Sequence, residues 1–139
     1  MKRITAIALF TVANLVTVGS VLAQDPVEAT VPFAFTVGTK LLPSGTYTIS
    51  SQVGSAEEIL LIQNRSQGIA VFAPAHADLR KSKHGELVFH KYGDQYFLSE
   101  ILCTSCNLNM ELPTSKVETR AQLQKASLHG VDQVLVALK

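Results

Sequence analysis

The sequence predicts a mainly β domain, α+β in class: an antiparallel β-barrel or sandwich of about seven strands with one helix before the C-terminal strand. Three observations carry that expectation. Residues 86–102, ELVFHKYGDQYFLSEIL, hold two apolar runs separated by Gly93 and Asp94, the pattern of a β-hairpin with a two-residue turn. Short runs rich in Val, Ile, Phe and Tyr recur between clusters of Gly, Pro, Asn and Ser, which is strand and turn punctuation. Ser115 with Glu118 three residues later has capping-box spacing, which starts a helix at Lys116.

In the hairpin, Gly93 supplies the positive φ that the first central position of a II′ turn requires. A two-residue loop sets Lys91 opposite Tyr96, Phe89 opposite Leu98 and Leu87 opposite Glu100. The other face then carries Val88, His90, Tyr92, Phe97, Ser99 and Ile101. A three-residue loop would exchange these partners. Both faces are partly apolar, the mark of a central strand pair covered on two sides.

The chain opens on Met1, Lys2 and Arg3, continues through an apolar stretch over 4–22, and reaches Val21-Leu22-Ala23 before Gln24. Basic, apolar and small-residue regions in that order read as a secretory signal cleaved after Ala23. Asn14 and several threonines interrupt the apolar run, against an uncleaved anchor helix. The expected domains are a signal peptide over 1–23 and a single β-rich domain over 24–139, secreted or periplasmic, with no transmembrane segment after cleavage. Losing Lys2 and Arg3 leaves ten basic against eleven acidic residues, and the mature chain carries no nucleic-acid footprint.

Along the mature chain, 24–30 reads as an arm and 31–37 as a first strand, with Pro32 at its start. Leu42-Pro43-Ser44-Gly45 is a turn into a strand over 46–49, completing a first hairpin. Strands over 59–63 and 69–73 flank a turn over 64–68, and Pro74 is expected to end the second of them. A polar, basic connector over 75–85 leads into the central hairpin. Residues 103–109 are turn-rich. The helix is expected from Lys116 to about Leu128, with Val117, Ala121, Leu123 and Leu128 as its apolar side and Gly130 beyond its end; residues 131–138 close the domain as a strand.

The order Val31-Pro32-Phe33-x-Phe35-x-Val37-Gly38, Leu42-Pro43-x-Gly45-x-Tyr47, Leu87-x-Phe89-x-Lys91-Tyr92-Gly93 and Leu112-Pro113-x-Ser115 resembles a family of small exported bacterial proteins without an assigned activity. The resemblance covers most of the mature chain. It implies a shared fold, but its motifs are turns and strands and imply no chemistry. The chain departs from the family pattern at 103–107, where the family has a Gly-containing loop without cysteines, so no role for the cysteines carries over.

Cys103-x-x-Cys106 is the sharpest chemical feature. In an oxidising compartment an even cysteine count favours a disulfide; free thiols and redox or metal chemistry are the alternatives. A thioredoxin-type site needs its first cysteine at a helix N-terminus, and Asn107-Leu108-Asn109 with Pro113 offers none. Zinc needs four N or S ligands, and His76, His84, His90 and His129 lack helical ligand spacing. No metal site or cofactor is therefore expected. No G-x-S-x-G or phosphate loop is present, and no catalytic residue is assigned. Lys91, Tyr92, Tyr96 and Glu100 would line a pocket mouth if the sheet closes into a barrel, against the plainer reading as strand polars. The basic run over 80–84 is solvated surface or a contact for anionic envelope polymers. The expectation is an exported, non-enzymatic binding module whose partner is an envelope protein or polymer. A thiol-disulfide or metal-linked protein and a small-ligand carrier are the alternatives.

Overall fold

The computed structural model describes residues 25–53, 58–125 and 131–139. The segment 1–23 expected to be a signal peptide lies outside the described residues, as do Leu128, His129 and Gly130. Ten strands and one helix are present among those described, and the helix precedes the last strand as expected.

The strands are β1 Val27–Val31, β2 Phe35–Val37, β3 Lys40–Leu42, β4 Gly45–Val53, β5 Glu58–Asn64, β6 Ile69–Ala77, β7 Glu86–Tyr92, β8 Gln95–Cys103, β9 Leu108–Glu111 and β10 Asp132–Ala137; α1 spans Lys116–Lys125. The count exceeds the expected seven for three reasons. The stretch read as an arm and a first strand is two strands, since β1 stops at Val31 and the chain resumes as β2 after Pro32. Gly38, at φ 61°, folds β2 tightly back onto β3 where only a break was expected. The segment after the cysteines, read as turns, pairs as β9 with Cys103–Leu108 and Ile101–Met110 in register.

Hydrogen bonding runs in the order β1-β4-β5-β6-β9-β8, and β8 continues through β7 to β10. The sheet curls until β10 meets β1 at an isolated Ala29–Leu138 bridge, beside a bond from Lys139 N to Glu28 O of 2.8 Å. It is a barrel-like sheet, not fully closed. The pair β2-β3 lies off the ring, joined to β8 in parallel through Thr36–Phe97. The expected first hairpin of 31–37 with 46–49 does not form: β4 pairs with β1, the stretch read as an arm, Thr30 opposite Thr46 and Ile49 opposite Val27, while β2 turns back onto β3 as an excursion between them.

The central hairpin forms where expected, with Tyr92 opposite Gln95, Lys91 opposite Tyr96 and Phe89 opposite Leu98. Gly93 takes φ 66°, which a side chain would resist. Beyond Phe89 the expected register is wrong: a bulge sets Glu100 opposite Val88 and Ile101 opposite Leu87. A regular ladder would have turned Glu100 toward the barrel interior and Ile101 away from it. The extra residue exchanges them, so Ile101 joins the core cluster with Leu87, Phe89 and Leu98, and the carboxylate leaves it. A bulge is the cheap solution because an unpaired buried carboxylate costs far more than one irregular ladder step.

Side chains fill the interior. The Phe35 ring meets Tyr47 and Phe89 edge to face, at centroid distances of 5.1 and 5.3 Å. Tyr47 also donates its hydroxyl to Pro43 O at 2.6 Å, pinning the turn before β4. Gly45 follows that turn because Asn64 packs against it, and a Cβ there would stand 2.6 Å from Asn64 Nδ2. Asn64 in turn caps the expected turn at 64–68, accepting from Ser66 Oγ at 2.7 Å and Gln67 N at 3.2 Å.

The outer face of the hairpin is covered by α1, where Tyr92, Phe97 and Ala121 form a second small cluster. Ser115 caps the helix as expected, accepting from Glu118 N at 3.1 Å. Of the expected apolar side Ala121 docks, while Val117 is partly exposed and Leu123 is 71% exposed. Pro74 also fails to end its strand. β6 runs on to Ala77, and Ile59 pairs with Pro74.

In urea denaturation, Phe89→Ala should lower stability by about 3–5 kcal/mol, as a large side chain leaves a cavity, and Gly93→Ala by about 1 kcal/mol, from its left-handed φ. Leu123→Ala should fall within about 0.5 kcal/mol of the parent.

Candidate functional site: an interrupted sheet edge

The four residues expected at a pocket mouth do not converge. Tyr92 is buried beneath α1, with its hydroxyl 3.4 Å from Glu118 Oε1. Burial and the Glu118 carboxylate hold its phenol above the ordinary tyrosine range. Lys91 and Tyr96 sit on the opposite face, where the Lys91 ammonium lies 5.6 Å from the Tyr96 ring centroid and Phe33 stacks on that ring at 4.0 Å. Glu100 lies further along β8, bound to Arg80 Nη2 through Oε1 at 2.6 Å. Each side chain serves packing or a local ion pair.

No local pattern in the sequence announces the partners in those pairs, which come from distant segments. Arg80, from the connector between β6 and β7, reaches Asp78 at 2.8 Å as well as Glu100, and Asp78 Oδ1 accepts from Arg80 N at 2.9 Å. The guanidinium hydrogen bond holds the Asp78 carboxyl below its ordinary range. This strap lies over the outward-facing Glu100 that the bulge produced. Glu118, only 5% exposed, binds His90 Nδ1 at 2.9 Å; a capping box would have turned it back to its own helix. His90 is thus the half-buried structural imidazole of the hairpin.

Cys103 and Cys106 sit at disulfide distance, their Cα atoms 5.2 Å apart, as the spacing led one to expect. Cys103 is buried at the end of β8 near Gly85 and Leu138, while Cys106 lies in the turn that precedes β9. Among the described residues no three His, Cys, Asp or Glu side chains gather into a metal site.

The unusual feature is a break in the sheet. β9 pairs with β6 only at His76 and Ala77, then swings toward β8, where Leu112 N bonds Ser99 O at 2.8 Å. From Ile69 to Ala75, β6 has β5 on one side and no strand on the other. Across the gap, β3 pairs with β2 alone. Between these two edges lies a cleft of about 500 Å³ lined by Val37, Gly38, Thr39 and Lys40 on one side and by 70–74 on the other. Phe72, 66% exposed, lines it from β6, whereas Leu41, 70% exposed on β3, borders a separate hollow with Thr36 and Val117. Sequence reasoning missed the cleft because it read Pro74 as a strand end; the usable signal was Pro74 inside an otherwise uncharged β run, since proline within a sheet marks an edge.

No family model, curated protein or solved structure matches the chain.

Arg80→Ala should destabilise the protein by about 1–3 kcal/mol near pH 7, because it strands a buried Glu100 carboxylate while removing a partly exposed guanidinium. Asp78 has a depressed folded-state pKa, so its share is present above the unfolded value of about 3.9 and lost as pH falls through the folded one. The difference between Arg80→Ala and the parent in urea melts should therefore narrow on acidification below about pH 4. Cys103→Ala with Cys106→Ala should cost less than the roughly 3 kcal/mol of a 15-residue loop, since the bridge closes a much shorter one.

Proposed function

We propose that this is an exported cell-envelope protein, secreted or periplasmic, that works as a non-enzymatic interaction module. The observation that carries the reading is the break between β6 and β3: two facing strand edges around a cleft lined by exposed Phe72. Soluble domains ordinarily cover or charge such edges, whereas residues 69–75 are uncharged. Export is supported by the leader-like segment over 1–23, by a cysteine pair at bonding distance, and by the resemblance to a family of small exported bacterial proteins. No helix among the described residues is long and apolar enough to cross a membrane.

The polar groups that looked chemically promising support binding over catalysis, because Tyr92, Glu118 and His90 hold α1 to the sheet while Glu100 and Asp78 hold the Arg80 strap. A small-ligand carrier would use the interior, but Phe35, Tyr47, Phe89 and Ile101 occupy it. A redox role would place the first cysteine at a helix N-terminus; Cys103 instead ends a strand.

Crosslinking the protein in its native cells, followed by purification from the envelope fraction, tests the reading. The expected result is a mature chain lacking 1–23, with an intact mass carrying one disulfide, recovered with a defined envelope component. Retention of the leader in the cytosol, or recovery of the exported chain alone, would contradict it.

A further inference from the structure

We propose that the gap between β6 and β3 is a strand-acceptor slot, and that its occupant is a single extended, uncharged peptide segment of a partner protein, apolar at alternate positions. The inference rests on the interaction reading above and names the kind of partner.

The direction of the β6 backbone follows from two independent facts. Asp78 N bonds Asn109 O at 2.8 Å on the β9 side. Backbone groups of alternate strand residues point to the same side, so His76, Pro74, Phe72 and Ala70 present theirs on that side too. Pro74 agrees: it sits opposite Ile59 in the ladder, and with its ring nitrogen aimed away from β5 it removes no ladder bond. Where β9 has swung away, the amides and carbonyls of Ala70 and Phe72 and the carbonyl of Pro74 face the gap. They have no hydrogen-bond partner among the described residues. On the far wall Lys40 pairs with Val37 across the tight Gly38 turn and Leu41 with Thr36. Alternation then aims the Leu41 amide and carbonyl into the same gap.

Unpaired backbone groups on both walls specify an extended chain, which offers donors and acceptors at matching spacing along its two edges. Because β2-β3 bounds the far side, the slot admits one strand. The edge of a second folded copy would bring its own neighbouring strand into the space that β3 fills. Phe72, exposed on the outer face and lining the slot, calls for an apolar side chain beside it on that face. An uncharged guest buries no charge against 69–75, which carry none, and leaves the exposed Lys40 of the far wall to solvent.

The test uses the full mature protein and a capped heptapeptide that alternates valine and threonine, followed by amide exchange and by titration. With saturating peptide, the Ala70 and Phe72 amides should exchange at least about tenfold more slowly, while Val71 and Ala73, already bonded to β5, should change little. Ala70→Pro removes one gap-facing donor without touching the β5 ladder, and should weaken the peptide about tenfold or more at an unchanged melting temperature. The same peptide N-methylated at alternate residues probes the slot without altering the protein and should lose affinity likewise. Unchanged Ala70 and Phe72 exchange, or equal binding by the N-methylated peptide, would overturn the slot. An envelope partner crosslinked as well by Ala70→Pro protein as by the parent would also overturn it, while leaving the broader interaction reading intact.

Discussion

The fold depends on covering β8 from both sides. Residues 97–103 of that strand are buried without a break, which no single hydrophobic core can achieve because strand side chains alternate between faces. One face is the barrel interior. The other is closed by α1 at one end, through Phe97 and Ala121, and by the Arg80 strap over Glu100 further along. The bulge beside Phe89 assigns each residue to its cover: Ile101 to the interior, Glu100 to the strap, and Ser99 to a carbonyl bond with Leu112 that draws β9 toward β8. A carboxylate in the middle of a buried strand is costly unless paired, and the strap supplies its pair.

That same arrangement produces the break in the sheet. At the end of β8 near Cys103 the space between β6 and β8 is one strand wide, and β9 fills it by pairing with both. Toward the hairpin turn, β8 takes β2 as its neighbour and β2 takes β3, yet β3 does not reach β6. The gap is thus the place where neither β9 nor β3 continues the ladder of β6. A partner segment that entered it would complete the ladder without rearranging the core, and most of its affinity would come from main-chain bonds, with side-chain pockets adding selectivity.

Much of this was legible in the sequence, and the boundary of legibility is physical. The Gly93-Asp94 turn, the Ser115 cap, the turn over 64–68 and the two-sided character of the central hairpin are local signals, written in residues adjacent along the chain. The bulge is not local: whether Glu100 or Ile101 faces inward is decided by what lies across the strand, including Arg80, twenty residues upstream. The same holds for Glu118, whose spacing fits a capping box but whose carboxylate finds a better partner in His90. The slot was hidden for a related reason. Pro74 is a correct sign of missing pairing, but the sequence does not say whether pairing is missing along one edge or altogether.

Native-state hydrogen exchange across β8 tests the central claim most directly. If both faces of this strand hold the fold together, the ladder amides of β7 and β8 between Leu87 and Ile101 should exchange only through global unfolding and rank with the most protected in the molecule. Exchange of these amides through local opening, well ahead of those in β4 and β5, would contradict the account.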